Sequence, residues 1–402
     1  MALLLAPLYA LELGATTEVI GLLVAAAFVI PLFLAIPVGA IVDRVPHKAM
    51  LIPAAAILAA APLPVITFMS TTGLAFTQVL LGISHLVLVV ASQAYVASVG
   101  SGKQHEANFG WYTMFMSGGQ LAGPIVAGVA SDELSFLAAY ALVATVGLLA
   151  LIGFLPFRFT QVHRSAQASG FAWQKLRHLA GVSGFRVGVL VSFCVLFALT
   201  AYLTFFPLHL AALGYSTATI GLIIGVRALA STVVRPFMPL IITALSGRQA
   251  TMLVTVVCVM LAISLAGTAS ALWAVVAISV LVGVGVGISL PLAIVAVADH
   301  QHAEVRGAAL GIQVTANRSA QALCPATLGL VAGALGLAAA FFASGMLLLA
   351  CAGLLIGWLL PAARSGAAPE AHNVPGSLNR PPKLTGAPDE PHKEIHEDRT
   401  AP

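Results

Sequence analysis

Two arginines, Arg227 and Arg318, interrupt stretches of sequence that are otherwise almost wholly apolar. An ionisable side chain in such surroundings is costly to bury and marks a functional site by default. A guanidinium offers a planar fork of donors that matches a carboxylate or phosphate. Around Arg318 runs a polar stripe, Gln313, Asn317 and Gln321, whose i, i+4, i+8 spacing puts the three on one helix face. Gln78, His85 and Ser92 form a second polar line at i, i+7 and i+14. Of these, His85 is able to carry a proton near neutral pH. Gln120 repeats the position of Gln321 in the earlier part of the chain. Together these residues read as a site for a small organic molecule with an anionic or strongly polar group. Each also has a purely structural reading: an arginine bonded to helix carbonyls, or a histidine bonded to a neighbouring helix. Arg235, nearer a helix end, can extend its charge to the membrane surface.

Acids are placed differently. Of the fourteen, only Glu12 and Glu18 lie in or beside apolar stretches away from the basic loops, and both fall near one end. A cationic substrate would find no carboxylate at mid-depth. No nucleophile–base pair, phosphate loop or metal-ligand cluster is present, so no enzyme or cofactor is expected. Cys194, Cys258, Cys324 and Cys351 lie in apolar runs without paired spacing and read as buried free thiols.

The elements that must hold these groups follow from composition. The chain has 402 residues, 60% hydrophobic and 8% charged, with a mean hydropathy of +1.02. Soluble domains carry roughly 25% charged residues. This excludes a soluble enzyme, a secreted disulfide scaffold and a nucleic-acid binder. A bilayer core about 30 Å thick needs about 20 apolar residues per helix, and lipid offers an open backbone no partner. Twelve apolar segments qualify: 1–15, 18–42, 49–69, 74–99, 108–130, 134–156, 186–212, 218–244, 249–269, 271–298, 307–332 and 337–360. The expected fold is an all-α polytopic membrane protein. Segment 157–185, basic and Ser/Gln/Ala-rich, is expected to be an inner-surface linker with a short helix near Trp173–Leu179. The tail 361–402, rich in proline and mixed charge, is expected to be disordered. Its His372, His392 and His396 read as solvated.

Lys and Arg fix the orientation. With the N-terminus inside, fifteen of the eighteen basic residues fall in inner loops and the tail, Arg44, Lys48, Lys103, Arg158, Arg186, Arg248 and Arg306 among them. Only Arg227, Arg235 and Arg318 lie within spans. Asp132 and Glu133 are the plainest acids of the outer loops. Both termini are expected in the cytoplasm of a bacterium, with the chain in its plasma (inner) membrane. Arg227 then lies about 14 Å from the outer end of its helix, and Arg318 about 16 Å from the inner end of its own, both near the midplane.

An internal repeat organises the spans. Residues 7–22, PLYALELGATTEVIGL, match residues 207–222, PLHLAALGYSTATIGL, at an offset of 200. At an offset of 201, Gly110, Gln120, Pro124 and Gly128 match Gly311, Gln321, Pro325 and Gly329. The chain is expected to be two six-helix halves, 1–156 and 186–360. Neither midplane arginine belongs to the repeat: Ala27 and Ser117 stand at the equivalent positions. The repeat also implies that helix 1 is truncated, since helix 7 begins about twenty residues before Pro207 while only six precede Pro7. An upstream start that completes helix 1 is expected.

Residues 39–48, GAIVDRVPHK, lie between the second and third spans and resemble the major facilitator superfamily signature G-x-x-x-D-R-x-G-R-K. Gly39, Asp43, Arg44 and Lys48 match, while Pro46 and His47 replace a Gly and an Arg. In the fifth span, Gly119, Gly123, Pro124 and Gly128 resemble the superfamily's G-x-x-x-G-P-x-x-G-G element, with Ala127 in place of one Gly. That element is associated with exporters. The resemblance implies a secondary transporter that works by alternating access as a monomer, exporting its substrate in exchange for a coupling ion, a proton rather than sodium. It assigns Gly39, Asp43, Arg44, Lys48, Gly123, Pro124 and Gly128 to gating, with Asp43 meeting the positive N-terminal end of the eleventh span. Gly39 and the small residues of the fifth span should allow close helix approach. Arg44 and Lys48 also read as plain inner-surface anchors, and Gly123–Pro124 as a packing kink. Two departures weaken the proton-antiport expectation. Gln78 and Leu81 stand where the fourth-span pattern R-x-x-Q-G has Arg and Gln. The second copy of the loop signature, near Leu240–Arg248, has Ala244 at its Asp position. Uptake of an organic acid, or a transporter-like receptor that moves nothing, are the alternatives.

Overall fold

The structure is a computed structural model that describes residues 1–42, 44–99, 103–157, 183–298 and 303–364. Asp43, most of the expected linker 157–185, including its helix near Trp173–Leu179, and the tail from 365 onward lie outside the described residues. Among these residues twelve helices follow in chain order. They are α1 Ala2–Glu12, α2 Thr17–Val42, α3 His47–Phe68, α4 Thr71–Ser98, α5 Lys103–Glu133 and α6 Phe136–Phe154. The second six are α7 Ser183–Ala212, α8 Thr217–Ala244, α9 Arg248–Ala266, α10 Leu272–Ala298, α11 Ala303–Leu335 and α12 Leu337–Arg364. No strand occurs among the described residues. The fold is the all-helical, twelve-helix membrane architecture of two related halves that the spans and repeat imply.

Nine of the twelve, among the described residues, are long and apolar enough to cross a membrane by themselves. The exceptions are informative. Helix α1 has 11 residues, about 16 Å at 1.5 Å per residue, and is buried along Leu4–Ala10. Helices α5 and α11 have 31 and 33 residues but carry the polar and glycine positions singled out above. Helices too polar to face lipid all round must face protein or water, which puts α5 and α11 on the inside of the assembly.

Proline shapes several helices without ending them. Pro7, Pro31, Pro37, Pro124, Pro207, Pro291 and Pro325 all sit inside continuous helices. Neighbouring helices make this tolerable in a membrane. In α8 the break is visible: a 3-10 turn at Arg235–Phe237 surrounds Pro236, as expected where a missing N–H interrupts the ladder.

The repeat is present in the backbone as well as the sequence. Gly14 and Gly214 have φ of 75° and 87°, so both α1–α2 and α7–α8 turn through a left-handed glycine. The same bonds close both turns: Gly14 N–H to Leu11 O and Gly214 N–H to Ala211 O, each 2.9 Å. Beyond the turns, Ile20 and Ile220 are both buried. Aromatic packing repeats too. Tyr9 stands 6.0 Å from Tyr140 in the first half, and His209 stands 6.3 Å from Phe341 in the second.

The two halves meet mainly through two pairs, α2 with α11 and α5 with α8. Both junctions lie toward the end of the bundle that holds Glu12, Glu18, Asp132 and Glu133, here the acidic end. Arg44, Lys48 and Arg248 mark the opposite, basic end. Toward that end α5 is loosely packed, though Asn108 Nδ2 donates to Val99 O at the end of α4 at 3.1 Å. Trp111, Thr113, Met114, Phe115 and Gln120 are exposed in directions all round the helix, and side-chain atoms added to Gly110, Gly118 or Gly119 would meet nothing. The bundle is closed at the acidic end and parted toward the basic end.

Candidate functional site

At the α2–α11 junction, Ala27 and Phe28 of α2 form a small apolar cluster with Ala6 of α1 and Ala322 of α11. On the other side Ala27 abuts Gly82 of α4, where any side chain would run into the Ala27 carbonyl. One turn from this junction toward the basic end, α4 presents His85 and α11 presents Arg318. The two interact electrostatically across the halves. His85 is exposed although it lies deep in the protein, the mark of a wall facing an opening. Arg318 is half-buried, and its Nη1 donates to Gln321 Oε1 at 3.2 Å. By helix rise, His85 and Arg318 each lie about 20–25 Å from either end of their helices, at mid-depth.

The other expected members sit around or apart from this pair. Gln321 belongs to it through its bond to Arg318. Asn317 is half-buried with Oδ1 unpaired, and Gln313 is 2% exposed with Nε2 unpaired. Gln120 is exposed, at mid-length on α5. Gln78 is 1% exposed on α4 with Oε1 unpaired. Arg227 has a different setting. It is 4% exposed and turned into the second half, where its electrostatic neighbour is Tyr202 of α7. Tyr202 in turn donates to Ser279 of α10 at 2.8 Å, and Ser279 donates to Val275 O at 2.9 Å. The Nε of Arg227 has no partner. Arg227 is therefore enclosed by α7, α8 and α10, away from the open face on which His85 and Arg318 lie. Among the described residues no acid accompanies either arginine at mid-depth. Nor is there any group of three or more His, Cys, Asp or Glu able to hold a metal.

The expected gating residues separate into two sets. At the basic end, Gly39 meets open space rather than a neighbouring helix. The close approach expected of it is absent because the halves are parted there. Arg44 is exposed. Lys48 Nζ donates to Leu155 O at 2.6 Å, tying α3 to the C-terminus of α6 within one half. At the acidic end the fifth-span element is in contact. A side chain on Gly221 would strike the Pro124 carbonyl, and one on Gly128 would strike the Thr217 carbonyl and lie 3.0 Å from the Ala218 Cα. Gly123 faces Met1 at 3.0 Å, and Gly119 faces open space. Of the small residues expected to pack tightly in α5, Gly128 does and Gly119 does not, because the seam has closed only over the acidic half of that helix.

One residue in this seam carried no role in the sequence reading. Asp132, at the end of α5, accepts the backbone N–H of Thr217 on Oδ1 at 2.9 Å and that of Ala218 on Oδ2 at 2.8 Å. It caps the first turn of α8 from the opposite half. The signal was available: at the offset of 201, Asp132 falls on Gly333, four residues past the Gly128/Gly329 pair.

Two related six-helix halves, with a polar pair at mid-depth between them and access from one end, define a membrane transporter. The Major Facilitator Superfamily profile matches residues 1–325 and 188–387, and the chain belongs to that family of small-molecule transporters. Its fold is similar to that of the nucleoside transporter NupG, at a TM-score of 0.75 and 13% identity, with 89% of this chain and 94% of that one covered. A bacterial homologue of the human lysosomal transporter Spinster, solved inward-facing and unoccupied, matches at 0.68 and 14%, covering 90% and 92%. The human organic anion transporter MFSD10 matches at 0.61 and 20%, covering 87% and 88%. No functionally curated protein matches the sequence.

Proposed function

We propose that the chain exports a small organic anion across a bacterial inner membrane by alternating access, rocking residues 1–156 against 186–360. The observation that carries this is the Arg318–Gln321 pair beside His85 on the parted face between the halves, with no acid beside it at mid-depth among the described residues. A carboxylate or similar anion would dock on the Arg318 fork. Arg227, enclosed beside Tyr202, contributes positive potential to the same midplane. MFSD10, named an organic anion transporter, agrees with this substrate class. Positive-inside placement makes the basic end cytoplasmic, so the parted face opens to the cell interior. Export follows from the likeness of Gly119–Gly128 to the exporters' element. His85 carries the coupling proton, as the histidine on the open face at mid-depth. The chain works as a monomer in the bilayer.

The test is ligand screening on purified protein followed by flux in proteoliposomes. Organic anions should raise the melting temperature, and organic cations should not. A ligand at 100 times its dissociation constant stabilises by about 2.7 kcal/mol, which is readily measured. Arg318→Ala should insert and fold yet lose both the stabilisation and the flux. Arg318→Lys should restore only part, because an ammonium lacks the planar fork. Imposed pH gradients should drive flux in wild type and fail to drive it in His85→Ala. Stabilisation by cations, or wild-type anion flux in Arg318→Ala, would overturn the substrate class.

A further inference from the structure

We propose that Asp132 is a latch that holds the acidic end of the transporter shut. It is a positioning residue for the transport cycle and touches no substrate. The inference rests on the alternating-access reading only for its purpose; the geometry stands by itself. A helix leaves its first four N–H groups without partners, and α8 satisfies three of them, two in an unusual way. Thr219 N–H bonds Ser216 Oγ at 3.3 Å, an ordinary N-cap within the helix. Thr217 and Ala218 N–H both bond Asp132, which arrives from α5 in the other half. A negative carboxylate at the positive end of a helix is favourable, and here it also bridges one of the two main junctions that must separate for the acidic end to open. The seam beneath it is drawn tight by Gly128 and Gly221, so any widening between α5 and α8 breaks both bonds at once.

The equivalent junction shows that a carboxylate is retained while its origin changes. On α11 the position of Asp132 is Gly333, and the space a side chain there would fill is taken by the Glu18 carboxylate from the first turn of α2. At α5–α8 the acid comes from the end of one helix onto the start of the next. At α2–α11 it comes from the start of α2 and lies across a glycine. Among the described residues only the first arrangement caps backbone N–H groups across the halves, and it makes the α5–α8 junction a hydrogen-bonded latch. The acidic end should therefore begin to open at α2–α11 and complete its opening when Asp132 lets go.

Two variants attack the latch from opposite sides. Asp132→Asn keeps the shape and removes the charge. Thr217→Pro removes one of the two backbone donors, and the Thr217 hydroxyl with it, without touching the acid. Proline is at home at the first position of a helix, and Ser216 already has the extended φ −67°, ψ 155° that a residue before proline requires. Thr217→Ser, which keeps both the N–H and the hydroxyl, is the control. Spin labels at Leu134→Cys, just past α5, and Leu213→Cys, in the turn into α8, would report the α5–α8 opening, and labels at Thr16→Cys and Leu335→Cys the α2–α11 opening, in a background lacking the four native cysteines. The readout is the distance distribution in the reconstituted full chain without substrate.

The expected result is that Asp132→Asn and Thr217→Pro each raise the long-distance α5–α8 population about twofold to fivefold, while Thr217→Ser matches wild type. Salt should weaken the wild-type latch in the same direction. Unchanged distances in either well-folded variant would overturn the proposal. So would a lowered melting temperature with unmoved distances, which is what a merely structural cap would give. Either variant decides alone if the other fails to fold. Because no substrate is needed, the latch is decided independently of whether anion flux is ever observed.

Discussion

The junctions α5–α8 and α2–α11 are built on the same backbone plan and differ in chemistry. In each, a glycine one turn into a helix of one half presses on a proline carbonyl of the other: Gly221 of α8 on Pro124 and Gly21 of α2 on Pro325. In each, a second glycine answers it, Gly128 at one and Gly329 at the other. The polar groups are not shared. Asp132 bonds backbone across the first junction, whereas Glu18 lies over Gly333 at the second. Duplication has kept the steric part, which tolerates no side chain, and let the electrostatic part vary. The sterics decide that the halves can close at the acidic end, and the charges decide how firmly.

The largest effect should come from the shared part. Gly221→Ala and Gly21→Ala each place a methyl group against a backbone carbonyl that cannot step aside. Overpacking of this kind costs about 1–3 kcal/mol when the structure must absorb it. Here it can be relieved by parting the halves. Both variants should shift the chain strongly toward the acidic-end-open form, to a similar extent, as read by label distances across each junction. A marked inequality would break the equivalence of the two seams. Loss of melting temperature without a distance shift would mean that the methyl is absorbed within one half.

An intermediate effect should follow from moving one junction's chemistry to the other. Asp132→Gly alone should loosen α5–α8. Adding Ala218→Glu would copy the Glu18–Gly333 arrangement onto it, since Ala218 is the repeat position of Glu18. The double variant should recover part of the closed population, short of wild type, because the transplanted acid fills space without capping Thr217 and Ala218. Full recovery would show that any carboxylate in the seam suffices, and the bond geometry of Asp132 would then be incidental.

The fold was readable from sequence because apolar length and basic-residue placement both report directly on the bilayer. The repeat at offset 200 was equally open, since glycine turns such as Gly14 and Gly214 are fixed by backbone conformation and resist change. Which side chains meet across the halves was less open. The pairing of His85 with Arg318 depends on how α4 and α11 are rotated about the Ala27–Gly82 and Phe28–Ala322 contacts, and helical periodicity within one segment does not encode that. Arg227 had the same sequence credentials as Arg318. Burial beside Tyr202 distinguishes it, through partners on α7 and α10 distant in the chain. Gly39 was read from a motif whose close approach belongs to a conformation with the basic end shut, and the structure has that end parted.

The smallest effect concerns acidity at the seam. Asp132 lies beyond the membrane-spanning stretch 108–130. Burial by itself would raise its carboxyl pKa, but bonds from Ala218 N–H, the Ser216 and Thr217 hydroxyls and Thr217 N–H outweigh it and hold the group below the usual carboxylate range. The sign of the linkage follows. A group whose pKa is depressed in the latched form contributes its full stabilisation above the unlatched pKa, about 3.9 for Asp, and loses it as pH falls through the depressed value. Between pH 5 and pH 8 the α5–α8 distance distribution of wild type should therefore be flat, and it should widen only in strong acid. Glu133, next in the chain, is exposed. The same titration on Asp132→Asn should show no acid-induced widening at α5–α8, because the charge is already gone. Widening centred near neutral pH in wild type would assign control of this seam to a histidine rather than to Asp132.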